Sequence, residues 1–252
     1  MTAGGQRGKL REGREKYGNQ TGDETCVPCQ YEKEGEMKMK HGIAAVAHSQ
    51  WEIFRKLVGT AVCLECPNGD YGTGICLAPG LVITANHVVA DSETAIARTI
   101  KLQRRTNSLQ LSRERTVATV IYRDTAIDIA LVRLETLPDR LRPATVAKRA
   151  TDLSEREVFR IGLSECPLGS GHLLEMRHNG RTVQLAASIP VHCGDSGGGL
   201  FNAEGELIGI ALIRSVRKED GPTICLAVPV RTALRRFRRR SGQKQKDLLR
   251  LP

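Results

Sequence analysis

The segment VHCGDSGGGLFN, at 191–202 of this 252-residue chain, has the residue types best suited to covalent chemistry. Ser196 is preceded by Gly194 and followed by Gly197, Gly198 and Gly199, so the backbone around one hydroxyl is free to take conformations that a side chain forbids. Such a loop can turn two N–H groups toward a single point. A nucleophilic hydroxyl needs that arrangement, because attack on a carbonyl places negative charge on an oxygen that preorganised donors must meet. Gly194 N–H and Ser196 N–H are the candidate donors. Taken alone, a glycine-rich turn before a strand is usually only a turn.

A hydroxyl also needs a base. His87, in LVITANHVVADSE, stands at the end of an apolar run where a buried strand meets a polar loop. The third requirement is a carboxylate that fixes the imidazole tautomer. Asp128, in AIDIALVRLE, reads as an acid embedded in a buried strand, where it must have a partner because an unpaired buried charge is costly. Asp124, four residues upstream, is the rival; it reads as part of the polar turn YRDT, without apolar surroundings.

These side chains must be positioned by β-structure. From Trp51 and Phe54 onward the chain is a succession of short β-like runs punctuated by turn signals: LVGTAVCL, GICLA, LVIT, TVATVIY, DIALVRL, EVFRIG, TVQLAAS, LIGIALI and TICLAV. Many short strands without intervening long helices predict antiparallel sandwiches or barrels rather than a βαβ sheet. The expected organisation is a polar extension over 1–53, a body over 54–238 with a break near 140–156, and a basic tail over 239–252. No sequence repeat relates the two halves of the body.

Three motifs, TANHVV, DIALVRL and GDSGGGLFN, in the order His, Asp, Ser, resemble the chymotrypsin-fold serine peptidases, and the details are most similar to the HtrA-type protease domain. GTGICLAPGLVITANHVV, EVFRIG, GELIGIA and LAVPV carry the likeness beyond the motifs, over roughly 56–238. The resemblance implies two perpendicular six-stranded antiparallel β-barrels and a short C-terminal helix. It places the catalytic groups His87, Asp128 and Ser196 in the cleft between the barrels, and the oxyanion hole at Gly194 and Ser196. It also implies a primary specificity pocket walled by Pro190, Val191, His192, Ala211, Leu212 and Ile213. With no acid at the pocket base, that wall favours aliphatic residues before the scissile bond, although Arg214 at the rim could admit an acidic side chain.

The likeness has limits. Gly199 stands where the family usually has proline. No start of the I-V-G-G type precedes the domain, so activation by a new N-terminus, as in secreted trypsins, is not expected. Asp195 would receive that terminus in a trypsin, and its partner here is left open. The stretch after about 240 is too short for a PDZ domain, so none is expected within this sequence.

Charge is concentrated at one end. Residues 231–252 carry seven Arg and two Lys against one Asp, which is +8 of the net +10. Val230, Ala233, Leu234 and Phe237 fall at i, i+3, i+4 and i+7 among these arginines, predicting an amphipathic helix that docks its apolar stripe on the body. A sharper alternative makes Arg238 to Lys246 a clamp for nucleic acid or anionic lipid. Eight cysteines are too few for a disulfide-dense secreted scaffold. No signal segment or membrane-length apolar run is visible, which gives a cytoplasmic expectation.

Cys26 and Cys29, with Cys63 and Cys66, have the two-by-two spacing of a structural zinc site, with His41 and His48 as substitute ligands. The 33 residues between the pairs exceed ribbon spacing, so no metal and no cofactor is the primary expectation. Cys193, beside Gly194, is a position where oxidation would disturb the oxyanion loop. The leading expectation is a serine endopeptidase acting on polypeptide. The alternatives are a protease-fold peptide-binding protein whose basic tail engages nucleic acid or anionic membrane, and a self-processing protein that falls silent after cutting itself.

Overall fold

The structure, a computed structural model, describes residues 48–103, 108–148, 156–164, 168–179, 182–212 and 224–241. The expected extension, except 48–53, and the tail beyond 241 lie outside these residues, as do Cys26, Cys29, His41, Cys166, Ile213 and Arg214.

The chain enters through a helix, α1 (His48–Val58), and then forms β1 (Ala61–Glu65), β2 (Tyr71–Ala78), β3 (Leu81–Ala85), β4 (Thr94–Gln103), β5 (Ser108–Leu111), β6 (Thr116–Asp124) and β7 (Ile129–Leu134). These strands pair in the order β1-β2-β3-β7-β6-β4, and β4 returns to β1, closing an antiparallel barrel with β5 as a hairpin on β4. The second barrel is built from β8 (Glu157–Ile161), β9 (Leu168–Asn179), β10 (Thr182–Ala187), β11 (Gly199–Asn202), β12 (Leu207–Leu212) and β13 (Cys225–Pro229), closed in the order β10-β13-β12-β11-β8-β9. A second helix, α2 (Val230–Ser241), follows β13 directly. The architecture is the two-barrel, all-β fold with a short C-terminal helix that the family resemblance implies.

Aliphatic side chains supply the cores. Val62, Ile75, Ile83, Leu131 and Val132 fill the first barrel, and Val158, Leu185, Ile189, Leu200 and Ile208 the second, all buried. Continuous apolar runs suit strands whose outer faces are themselves covered by helix, linker or the other barrel.

α1 corrects the strand expected over LVGTAVCL. Its Leu57 and Val58 end a helix in which Phe54, Leu57 and Val58 share one buried face, at helical spacing. The strand begins only at Ala61, after the turn at Gly59 and Thr60. β4 and β9 are further strands that hydrophobicity does not announce; β9 shows Leu174 and Met176 to solvent while Leu173 is buried.

In α2, Val230, Ala233, Leu234 and Phe237 are buried as the periodicity requires, and Phe237 meets Tyr122 edge to face at 4.9 Å between ring centroids. The basic face is not simply solvated. Arg236 reaches the fully buried carboxyl of Asp124, with Nε on Oδ2 at 2.6 Å and Nη2 on Oδ1 at 3.1 Å, and Arg231 Nη1 donates to the carbonyls of Ala147 and Lys148. Arg235 and Arg239 stay exposed.

Candidate active site

β3 ends at Ala85 and leads into a short 3₁₀ turn, Asn86–Val89, that carries His87. The side chain of Arg123 fastens this turn, donating from Nη1 to Val89 O at 2.6 Å and from Nη2 to Ser92 O at 2.5 Å. Asp128 stands in the turn between β6 and β7 with φ +57°, a left-handed conformation that Asp adopts more readily than most non-glycine residues. In that pose its Oδ1 accepts the backbone N–H of His87 at 2.9 Å and its Oδ2 meets His87 Nδ1 at 2.7 Å. On the far side of the ring, His87 Nε2 lies 2.6 Å from Ser196 Oγ. The three side chains therefore form one hydrogen-bonded line between the first barrel and the second.

The geometry reverses the environments expected of the two acids. Asp124, the residue that reads as a polar turn, is the last residue of β6 and fully buried; Asp128, the residue that reads as a buried strand, is in a turn, with its side chain 30% exposed. Burial pushes the Asp124 carboxyl up, but the hydrogen bonds and charge of Arg236, with Tyr122 and Arg240 behind them, outweigh it and hold the group below the usual carboxylate range. Asp124 is thus committed to α2 and cannot orient an imidazole. It does brace the turn that presents Asp128, because its Oδ1 accepts the N–H of Ala126 at 3.2 Å.

Around the serine, Asp195 N–H donates to His192 O at 3.0 Å, closing a four-residue turn with Gly194 at its third position. Gly194 has φ +90°, and Cys193 is not among the positive-φ residues, which together define a type II turn. A Cβ on Gly194 would stand 2.8 Å from Leu163 O and 2.9 Å from the Tyr71 ring, so both the dihedral and the space demand glycine. Among the described residues, the N–H groups of Gly194 and Ser196 find no protein acceptor. The turn is tied from the first barrel by Thr73, whose hydroxyl donates to Gly194 O at 2.7 Å and whose N–H donates to Ser196 O at 2.8 Å. From the second barrel, Arg160 forms an ion pair with Asp195. Thr73, Arg123 and Arg160 have no place in the motif reading. Only Arg160 leaves a mark in the sequence, as a cation in the middle of the apolar run EVFRIG.

Of the expected pocket residues, Ala211 bonds the serine loop: its N–H donates to Gly198 O at 2.8 Å and its carbonyl accepts from Gly197 N–H at 2.9 Å. Leu212 is buried in β12, Val191 is half-buried against the core of the second barrel, and Pro190 and His192 are exposed. Ile213 lies outside the described residues. Cys193 is disulfide-bonded, whereas Cys63, Cys66, Cys76 and Cys225 are buried free thiols. Cys63 and Cys66 are half of the alternative zinc set; Cys66 Sγ donates to Val88 O at 3.0 Å, and the other half falls outside the described residues.

The fold and the site are those of a trypsin-like peptidase domain. The chain belongs to the trypsin-like peptidase domain family, which it matches over residues 72–210. It is similar to a probable periplasmic serine endoprotease, DegP-like, of Ectopseudomonas mendocina, at 29% identity over 65% of this chain and 33% of that one. It is also similar to the human peroxisomal leader peptide-processing protease, at 31% identity over 65% of this chain and 29% of that one. The chain thus spans about a third of the length of these curated relatives. Among solved structures, the serine endoprotease from Yersinia pestis shares the fold with a TM-score of 0.62 at 21% identity, covering 79% of this chain and 69% of that one. The inactive form of Rv3671c from M. tuberculosis H37Rv does so with a TM-score of 0.60 at 17% identity, covering 76% and 91%.

Proposed function

We propose that this chain hydrolyses peptide bonds through an acyl-enzyme formed on Ser196, with His87 as general base and then general acid and Asp128 as the group that orients the ring. The observation that carries the reading is the unbroken line Asp128, His87, Ser196, at 2.7 and 2.6 Å, beside two uncommitted N–H groups. Asp128 accepts from Nδ1–H, which leaves Nε2 free to take the hydroxyl proton as Oγ attacks the carbonyl carbon. The oxygen that becomes negative is met by Gly194 N–H and Ser196 N–H. His87, now protonated, returns the proton to the leaving amine. A water then repeats the attack on the acyl carbon with the same base and releases the acid.

The substrate is a polypeptide, with aliphatic residues preferred before the scissile bond. Support comes from the apolar character of Val191, Ala211 and Leu212 along the expected wall. The reaction as written uses protein groups only. The alternative for nucleic acid or anionic lipid rests on the basic run Arg238 to Lys246, of which Arg239 and Arg240 are exposed among the described residues.

The test is labelling by a fluorophosphonate probe in wild type, Ser196→Ala and His87→Ala. Labelling of wild type alone is the expected result, followed by cleavage of peptide libraries with aliphatic selection. A folded wild type that takes no label would refute the assignment and favour the peptide-binding alternative. Self-processing predicts shortened fragments that disappear in Ser196→Ala without added substrate.

A further inference from the structure

We propose that Arg160 is a positioning residue that holds the oxyanion turn in its working conformation through a permanent internal cation. The proposal rests on the peptidase reading for its kinetic consequences, but not for its structural one. It also identifies the partner of Asp195 that the sequence leaves open.

Arg160 sits in β8 with no solvent exposure, and Asp195 is 1% exposed. Desolvating both ions is expensive, and a buried pair is a poor source of net stability compared with apolar packing. The surroundings are nevertheless built for it. Gly162 has no room for a side chain: a Cβ there would stand 2.2 Å from Asp195 Oδ1 and 2.8 Å from Arg160 Nη1. At Gly169, on the neighbouring strand, a Cβ would lie 3.3 Å from both Nε and Nη2 of the guanidinium. A glycine just past the end of β8 and another on its partner β9 thus leave the volume that the cation fills.

The carboxylate passes this anchoring to the turn. While Oδ1 meets Arg160 and accepts Ser164 N–H at 3.3 Å, Oδ2 accepts the N–H of His192 at 2.8 Å, the first residue of the turn. Asp195 N–H closes the same turn on His192 O. Gly194 and Ser196 flank Asp195 directly, so its position sets where both oxyanion donors point. Burial raises the pKa of Asp195, and Arg160 and the two N–H donors oppose it. Without the guanidinium, that carboxylate must either take up a proton or swing toward water, and swinging would carry the turn with it. Loss of one oxyanion donor lowers kcat by about 100- to 1000-fold.

Arg160→Met and Arg160→Lys separate positioning from bulk. A guanidinium keeps its charge throughout the pH range of an assay, whereas a lysine ammonium loses it near its ordinary pKa of about 10.4. The expected result for Arg160→Met is a folded protein, by near-ultraviolet circular dichroism, with kcat and fluorophosphonate labelling reduced roughly 100-fold and KM changed far less. Arg160→Lys is expected to work at neutral pH and to acquire a reversible alkaline loss of kcat that wild type lacks. Amide hydrogen exchange at neutral pH should show faster exchange confined to 192–196 in Arg160→Met. An Arg160→Lys profile superimposable on wild type, or unchanged exchange at 192–196 in a folded Arg160→Met, would overturn the proposal. A wild type that takes no label would refute the peptidase reading instead, and the exchange measurement would still decide the role of Arg160. Should Arg160→Met fail to fold, the lysine profile and its exchange below and above about pH 10.4 decide.

Discussion

The link between Asp124 and Arg236 offers a stability test whose magnitude follows from asymmetric burial. Asp124 is fully buried at the end of β6, and the side chain of Arg236 on α2 is 28% exposed. Arg236→Met leaves the carboxylate with Tyr122 OH at 3.1 Å, Ala126 N–H at 3.2 Å and a distant Arg240 at 3.7 Å. Stranding one member of a buried pair costs about 3–5 kcal/mol, and the remaining donors put this case near the lower figure. For a domain of this size each kcal/mol shifts Tm by about 2–4 °C, so the loss should be roughly 6–12 °C at pH 7. Asp124→Asn should cost less, because the half-open Arg236 can turn to water while Asp124 cannot. The double variant should be more stable than Arg236→Met alone, since no charge is then left buried. The pH dependence has a definite sign. A carboxyl held below its unfolded pKa of about 3.9 adds stability that is complete above that value and is lost as pH falls through the folded pKa. The gap between wild type and Arg236→Met should therefore close on acidification from pH 7 to about pH 3. Thermal melts of the four proteins at constant ionic strength provide the assay. A Tm difference below about 2 °C at pH 7, or one that does not shrink in acid, would refute the argument.

Gly194→Ala should fold but lose kcat by about 100-fold or more with little change in KM, since the side chain meets Leu163 O and cannot hold φ +90° cheaply; steady-state kinetics on a peptide substrate decide it, and an unchanged kcat would remove Gly194 from the oxyanion role. Asp128→Asn should lower kcat by about 10⁴ while leaving Ser196 present and the protein folded, because the ring then favours the wrong tautomer. Burial pushes the thiols of Cys76 and Cys225 up to about 12 and that of Cys63 higher still, leaving them almost entirely protonated at pH 8. Alkylation of the native protein followed by peptide mass mapping should find these three unmodified, and Cys193 modified only after reduction; rapid native modification of Cys225 would contradict its placement in the core.

The motifs of the site are legible because each demands a particular backbone. A serine whose neighbours must adopt left-handed or crowded conformations needs glycine around it, as the φ values of Gly194 and Gly197 bear out. The all-β class is legible in the spacing of aliphatic runs, whereas the two-barrel architecture is legible only through the family resemblance of the motifs. Burial of individual polar residues is not, because it is decided by partners far along the chain. Asp124 is buried by an arginine 112 residues away, and the local pattern that sets it apart from Asp128 points the wrong way for burial. Arg160 is visible as an odd cation in a strand, but the carboxylate that explains it lies 35 residues downstream, in the serine loop. α1 is hidden because Leu57 and Val58, its last buried residues, run without a polar break of any length into the apolar strand at Ala61.

The two segments that carry the proposed catalytic groups are held by the same physical device. Among the described residues, each barrel contributes one fully desolvated carboxylate with an arginine partner, and each carboxylate sits just ahead of the group it serves. Asp124 precedes Asp128 by four residues and braces its turn through Ala126, while Asp195 precedes Ser196 by one and fixes the turn through His192. The arginines come from elsewhere in the fold, Arg236 from α2 and Arg160 from β8. Such pairs contribute little net stability for the desolvation they require, but they specify one position for the carboxylate, because any displacement leaves a charge without its counter-ion in a low-dielectric interior. The proposed proton relay, with hydrogen bonds of 2.6 and 2.7 Å, benefits from that positional stiffness more than from added stability. On this reasoning α2 belongs to the architecture of the proposed site: its docking fixes Asp124, Asp124 fixes the turn, and the turn presents Asp128 in the left-handed conformation that places both of its oxygens on His87.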